Sequence, residues 1–385
     1  MAKQKVLLLT NILAPYRVPL FNAMGQLFED IDLELNIVFM AGNEENRRWK
    51  VRKDELRVSY ETLPGWQTFL WRFEFPIHIN PGIWNFLRKR NPDVIIVGGY
   101  ALLSCWAALL FSKVFGKKIV LWTSTTPEIG KRRGLMRRAF RKIFINQSDA
   151  FVTYGLRAAA FLKENNIYPQ SIFSGCNIGD MEFFKRAVPA YRATRQFLYE
   201  KARYSAPILL YVGQFIPRKG LLQLLLALKG IESRPWSLIM VGGGPLQTKI
   251  EGYIRRFGLE NRVHVEPFRE KEDLAKFYAI SDIFVLPSVA EPYAIVVSEA
   301  LASGLFMVCS KYAGAAWDLI EIGKNGLIMD PADIISMRSA IKKAIELVQA
   351  PMYSRERIVN SIKHLTIERY AKSFVNAIQY VLGKA

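Results

Sequence analysis

Residues 282–302 read DIFVLPSVAEPYAIVVSEALA. An apolar run, 283–286, stops at Pro287-Ser288. A loop carrying Glu291 follows, and an apolar helix carrying Glu299 starts near residue 294. A short buried run, a polar turn and an apolar helix make one step of a parallel sheet. The start of the helix leaves backbone N–H groups facing the loop, and a helix N-terminus favours negative charge. Two carboxylates and bare amides in one place suit a ligand that carries both hydroxyls and phosphate.

The same step recurs on both sides. Downstream, strands are expected at 207–213, 237–242, 262–265, 282–286 and 305–308. Helices at 220–230, 245–257, 271–279 and 294–303 alternate with them. Upstream, strands 5–10, 33–40, 94–97, 118–123, 150–154 and 171–173 alternate with helices 19–28, 83–90, 101–114 and 156–165. Between these lie a charged, loop-like stretch, 43–60, and an aromatic, irregular one, 65–84. The alternation predicts an α/β protein of the doubly wound class, with two Rossmann-like parallel-sheet domains facing across a cleft. Ligands collect at the carboxyl ends of such strands. The first domain is expected over 1–185 and the second over 206–365. Residues 186–205, polar and basic with Pro189, read as a linker. The amphipathic helix in 366–385 is expected to cross back onto the first domain.

A chain of 385 residues that is 51% apolar can build two full cores. Its formal charge of +19 is uneven, because residues 1–200 hold 29 Lys and Arg against 17 Asp and Glu. Such a balance points to an anionic partner: phosphorylated substrate, acidic lipid or nucleic acid. Cys105, Cys176 and Cys309 are scattered, which suits thiols in a reducing cytosol. The uncharged run 94–112 is nearly long enough to span a bilayer, but Gly98-Gly99-Tyr100 splits it into a strand, a turn and a helix. The apolar run near the start is too short for a secretion signal. His78, His264 and His364 have neither metal nor triad spacing. Asp30-Ile-Asp32 reads as a solvated turn.

Residues 113–142 hold ten Lys and Arg against one acid, Glu128. Leu135, Met136, Ala139, Phe140, Ile143 and Phe144 recur there at helical spacing. A basic amphipathic helix of this kind can lie on an anionic membrane, with Arg132, Arg133, Arg137, Phe140 and Arg141 as the contact residues. Trp49, Trp66, Trp71 and Phe75, interleaved with Arg47, Arg48, Arg52 and Arg72, could add an interfacial lip. The expected location is cytoplasmic, peripheral on the inner face of the cell membrane.

Two glycine-bearing turns complete the pattern. GQFIPRKG (213–220) follows a strand and opens a helix. It places Arg218 and Lys219 where Arg can grip two phosphate oxygens and Lys adds a point charge. VGGGPL (241–246) is a second strand-to-helix turn. With VHVEPF (263–268), the 282–288 strand, the Glu291–Glu299 pair and LIEIGKNGLIMDPAD (319–333), these pieces come in one order. In that order residues 206–333 resemble the nucleotide-sugar domain of retaining GT-B glycosyltransferases of family 4, the glycosyl transferases group 1. TNILAPYRVPLFN (10–22) and NIGDMEFF (177–184) are similar to that family's acceptor half.

The resemblance implies roles. Glu291 accepts from the hydroxyls of the donor sugar, Lys219 neutralises the leaving diphosphate, and Arg218 assists. Gly213, Gln214, Gly243, Pro267, Phe268, Tyr293, Ala294 and Ile295 line the donor, and Glu299 holds the ribose. Tyr16, Arg17, Tyr100, Trp122 and Thr123 fall on the acceptor side. The implied donor is a UDP- or GDP-linked sugar, with no prosthetic group and no metal required. The implied acceptor is lipid-linked or a saccharide, in bacterial cell-envelope polysaccharide synthesis. The chain departs from the family at Gln214 for Arg, Tyr293-Ala294 for Phe-Gly, Pro267 for Gly and Trp122 for His. Other readings are an inverting transferase or a sugar epimerase on the same fold, or a basic nucleic-acid binder. The last lacks any recognition-helix, RNP-like or zinc pattern, so no nucleic-acid partner is expected.

Overall fold

The structure, a computed structural model, describes residues 3–44, 53–70, 75–131, 134–231 and 234–383. The chain divides into two units: Met1–Cys176 with Thr366–Ala385, and Asn177–Leu365.

Unit 1 opens with β1 (Gln4–Thr10), α1 (Val18–Glu29), β2 (Leu33–Phe39), β3 (Tyr60–Thr62), β4 (Trp66–Leu70) and β5 (Phe75–Ile79). It continues with α2 (Ile83–Arg90), β6 (Val94–Val97), α3 (Leu103–Val114), β7 (Lys118–Thr123), α4 (Pro127–Lys131) and α5 (Leu135–Asn146). β8 (Ala150–Tyr154), α6 (Gly155–Glu164) and β9 (Ile172–Gly175) follow. In unit 2, α7 (Met181–Arg192) and α8 (Arg195–Lys201) precede β10 (Ile208–Gln214), α9 (Leu221–Leu228), β11 (Ser237–Gly243) and α10 (Gln247–Arg256). Then come β12 (Val263–Glu266), α11 (Lys271–Ile280), β13 (Ile283–Leu286), α12 (Val296–Ala302), β14 (Phe306–Ser310) and α13 (Gly314–Leu319). β15 (Gly326–Met329), α14 (Ile334–Gln349) and α15 (Arg355–Ser361) close it. The last helix, α16 (Ile367–Val381), returns to unit 1.

Unit 1 carries a parallel sheet of order β3-β2-β1-β6-β7-β8-β9, and unit 2 one of order β12-β11-β10-β13-β14-β15. The strands are continuous apolar runs because both faces are covered. Side chains alternate across a strand, so each run feeds two cores. Val6, Leu8, Val94, Ile96, Val120 and Trp122 face one side with α1 and α16. Leu7, Leu9, Ile95, Val97, Ile119 and Leu121 face the other, with α2 and α3.

Three expectations change. Within 65–84, read as irregular, β4 and β5 pair antiparallel with Thr68 opposite Ile77, while 71–74 lie outside the described residues. Pro76 and a run of aromatics hid the alternation. Of 43–60, read as loop, residues 45–52 lie outside the described residues, and Tyr60 opens β3, an edge strand beside β2 opposite Ile37. Residues 186–205 do not form a linker, because α7 and α8 belong to unit 2. Asp180 caps α7 by accepting from Phe183 N at 3.2 Å, and Phe184 stacks edge-on to Tyr278 at 5.1 Å. Arg192 donates to Ala279 O and Ser303 O, each at 3.0 Å. Those contacts join a basic, Pro-bearing segment to the sheet domain and move the break to Cys176/Asn177.

No helix among the described residues is long and apolar enough to cross a membrane. The 94–112 run is β6, a turn with Gly99 at φ +115°, and α3.

Candidate active site

The loops after β10 and β13 are brought together by sheet order. These strands are separated in sequence by β11 and β12, yet they are neighbours, with Leu209 opposite Ile283. Their loops are then stitched: Val289 N donates to Arg218 O at 2.9 Å. Gly220, at φ +67°, lies so close to the next loop that a Cβ there would sit 2.0 Å from Pro287 O. Glycine is needed at this turn for both reasons. The result places Lys219 and Arg218 on Glu291.

Glu291 accepts a short hydrogen bond from Lys219 Nζ, and Arg218 Nη1 approaches its Oε2 at 3.2 Å. Lys219 is 9% and Glu291 6% exposed, whereas Arg218 stays partly open. Burial alone would raise the Glu291 pKa. The two cations outweigh it and hold the carboxyl below the usual glutamate range. At neutral pH the cluster is one carboxylate between two cations. It can accept from hydroxyls and hold negative charge, all at the carboxyl edge of a Rossmann-like sheet, where such folds bind ligands.

The turn after Glu291 adds donors. Ala294 adopts φ +78°. The left-handed region costs a non-glycine residue roughly 1–2 kcal/mol. A backbone conformation that glycine usually supplies is thus held here by alanine. Among the described residues, the amides of Ala294 and Ile295 donate to no acceptor. Tyr293 packs beneath them at 2% exposure, and its carbonyl accepts from Ala315 N at 2.9 Å. The helix that follows starts at Val296, later than the sequence suggests.

Glu299 lies one turn into α12, apart from the Lys219 cluster. Tyr278 Oη donates to its Oε2 at 3.0 Å. Gly179 N donates to Ser298 Oγ at 3.0 Å, so the 177–180 segment lies against this helix. Burial pushes the Glu299 carboxyl up to about 7, against the Tyr278 hydrogen bond, and Asp180 adds to the rise. A carboxyl whose folded pKa is raised makes the native state bind the extra proton. Stability is then greatest below the ordinary glutamate pKa and falls as pH rises through about 7. Urea unfolding between pH 5 and 7.5 should show the native chain losing up to about 1.4 kcal/mol per pH unit relative to Glu299→Gln. Parallel pH curves for the two proteins would remove Glu299 as the titrating group.

Of the other donor-side positions, Gly213 and Gln214 end β10, where Gln214 pairs with Gly243 of β11. Gly242 is packed so tightly that a Cβ would meet Gly213 O at 2.0 Å. Pro267 and Phe268 follow β12, the outer edge strand, and are exposed. Tyr278 and Ser298 escaped the sequence reading: each looks like one more residue of an apolar helix.

In unit 1 the acceptor-side residues form two groups at the carboxyl edge of the sheet. Arg17, next to Tyr16, donates to Thr10 Oγ1 at 2.9 Å and to Tyr154 Oη at 3.0 Å. Tyr100 Oη and Thr125 Oγ1 are 2.7 Å apart, and Thr123 Oγ1 is 3.3 Å from the same Thr125 oxygen. Trp122 does not face an acceptor. It is 1% exposed, and its indole N–H donates to Tyr370 Oη of α16 at 2.8 Å. Its bulk on the α16 side of the sheet makes it a core anchor. His78, read as a loop residue, is 1% exposed with Nε2 3.4 Å from Glu44 Oε1, and Asn11 donates to the same oxygen at 2.8 Å.

Of the membrane-contact residues, Arg132 and Arg133 lie outside the described residues, as do Trp49, Trp71, Arg47, Arg48, Arg52 and Arg72. On α5, Phe144 is buried whereas Met136, Phe140 and Ile143 are exposed. Arg137 is exposed, but Arg141 is 5% exposed and so does not offer an open surface contact.

Residues 199–364 match the family model described as glycosyl transferases group 1. An uncharacterized glycosyltransferase of Methanocaldococcus jannaschii is 29% identical over 181 residues, 46% of this chain and 45% of the relative. The lipopolysaccharide core biosynthesis glycosyltransferase LpsD of Rhizobium meliloti is 29% identical over 160 residues, 42% of this chain and 45% of the relative. The chain thus spans somewhat under half the length of these relatives. The Anabaena HepE protein, solved in complex with UDP, is 17% identical but superposes with a TM-score of 0.76 over 98% of this chain and 100% of its own. That likeness shows the fold: two Rossmann-like parallel-sheet units of the GT-B type. The segment that matches the family model, 199–364, lies within unit 2.

Proposed function

We propose that this chain is a retaining glycosyltransferase. It moves a sugar from a nucleotide-diphosphate sugar to a lipid-linked or saccharide acceptor in envelope polysaccharide assembly. The buried Glu291–Lys219–Arg218 cluster, inside the segment that matches the family model, carries this reading. The donor diphosphate faces Lys219, Arg218 and the amides of Ala294 and Ile295. The sugar hydroxyls donate to Glu291, and the ribose hydroxyls to Glu299. The bond from the anomeric carbon to the phosphate oxygen breaks while the acceptor oxygen bonds the same face. The acceptor's proton passes to the departing phosphate. Fixed cations lower the barrier by stabilising the charge that develops on that leaving group. The relatives named for lipopolysaccharide core synthesis and the exposed, cation-flanked apolar residues of α5 favour an acceptor at a membrane surface.

Thermal shift of the full chain against UDP, GDP, ADP and their sugars tests this. One nucleotide should raise the melting temperature, since a ligand of the folded state stabilises it by mass action. With the matching sugar donor, NMR of the product should show the anomeric configuration kept. Inversion would leave the fold and reject the mechanism. No shift with any nucleotide would reject the donor site.

A further inference from the structure

Unit 1 contains a cavity of about 330 Å³ between the start of α3 and the first turns of α5. Tyr100, Leu103, Trp106 and Phe140 supply its apolar wall, and Arg137 and Arg141 reach it from one side of α5. The wall is built, not loose. Trp106 meets Phe140 edge-on at 5.8 Å and Phe144 at 5.0 Å, and its indole N–H donates to Tyr100 O at 2.9 Å.

Arg141 is the unusual member. It is 5% exposed and has no carboxylate partner among the described residues. Its guanidinium donates to Gly130 O at 3.1 Å and lies over the Phe161 ring at 5.1 Å. Glu128, the one acid in 113–142, is held by Arg157 instead. Buried charges are normally paired, because removing them from water is costly. A fixed guanidinium without a counter-ion, at the wall of an apolar cavity, calls for an anion. Arg137 stands one turn earlier on the same helix, and two such groups suit the oxygens of one phosphate. An apolar wall beside them suits a chain attached to that phosphate. Leu103 and Phe140 on the cavity wall are exposed, as are Met136 and Ile143 elsewhere on α5, as expected where such a chain passes to a bilayer.

We propose that this cavity binds the phosphate of a membrane lipid, with Arg141 and Arg137 on the phosphate oxygens and Leu103, Trp106 and Phe140 against the start of its chain. This deepens, and for its use rests on, the membrane-acceptor half of the proposed function. Binding is measured without donor or turnover, so its failure and that of the transferase reading are separate results.

The test uses the full chain and sedimented vesicles of phosphatidylcholine carrying either phosphatidic acid or phosphatidylserine, matched in zeta potential. The expected result is about tenfold tighter partition to phosphatidic acid, whose phosphate is open. Arg137→Ala and Arg141→Met should bring that ratio to about one. Lys142→Ala, on the same helix but outside the cavity, should weaken both partitions and keep the ratio. Arg137 is exposed, so its variant keeps the test valid if Arg141→Met does not fold. Equal partition of the native chain to both lipids, or an unchanged ratio in Arg137→Ala, would overturn the proposal. So would displacement by millimolar glycerol 3-phosphate, which would make the site one for soluble phosphate.

Discussion

Lys219→Met should lower sugar transfer about 10²–10³-fold, the usual loss when one fixed group that stabilises developing charge is removed. It should also destabilise unit 2, because Glu291 stays buried with its shortest partner gone. Breaking a buried ion pair from one side costs about 3–5 kcal/mol. The lower end applies here, since Arg218 remains at 3.2 Å. Glu291→Leu should show the same two losses. The double variant separates them: the buried pair is gone and Arg218, partly open to solvent, can keep its hydration, so stability should largely return while transfer stays lost. Urea unfolding and initial rates on the three proteins decide it. A rate within tenfold of native in Lys219→Met, with the protein folded, would reduce the cluster to a structural ion pair.

Phe374→Ala should cost about 3–5 kcal/mol, the range for a buried phenylalanine, although it lies close to the end of the chain. Phe374 is fully buried beneath unit 1's sheet and meets Trp122 edge-on at 5.3 Å. Tyr370, one turn earlier, accepts from the Trp122 indole and sits where any Cβ on Gly175 would be 2.1 Å from its ring. Lys372 on the same helix is exposed, and Lys372→Ala should stay within about 0.5 kcal/mol. Calorimetry that found both variants alike would mean that α16 rests on the unit without supporting it.

The sheets of both units were legible, but the site loops were clearer in unit 2 than in unit 1. Parallel strands covered on both faces must be apolar throughout. Hence 94–97 and 118–123 could be read to the residue. Gly213, Gly220 and the Glu291–Glu299 spacing announce themselves because close backbone approach and paired acids restrict the residue types allowed. The β4–β5 pairing stayed hidden because its alternation runs through Pro76 and a string of aromatics. The linker reading failed because polarity at 186–205 reflects the solvent side of α7 and α8, while Phe184 and Arg192 reach the core. Trp122 was placed on the acceptor side because it stands where the resembled family has His, but alternation along β7 turns it toward α16.

Residue order alone determined the strand and helix periodicities, the doubly wound class and which loops could bear charge. Those follow from local rules: which side chains must be buried, and where a backbone needs glycine. It did not determine that Lys219 would rest on a carboxylate 72 residues away, that Trp122 would bond a tyrosine 248 residues on, or that Arg141 would be enclosed with no carboxylate partner among the described residues. Those depend on which strands become neighbours and which helix covers a face. Such choices balance burial over a whole unit, and no window of residues contains that balance.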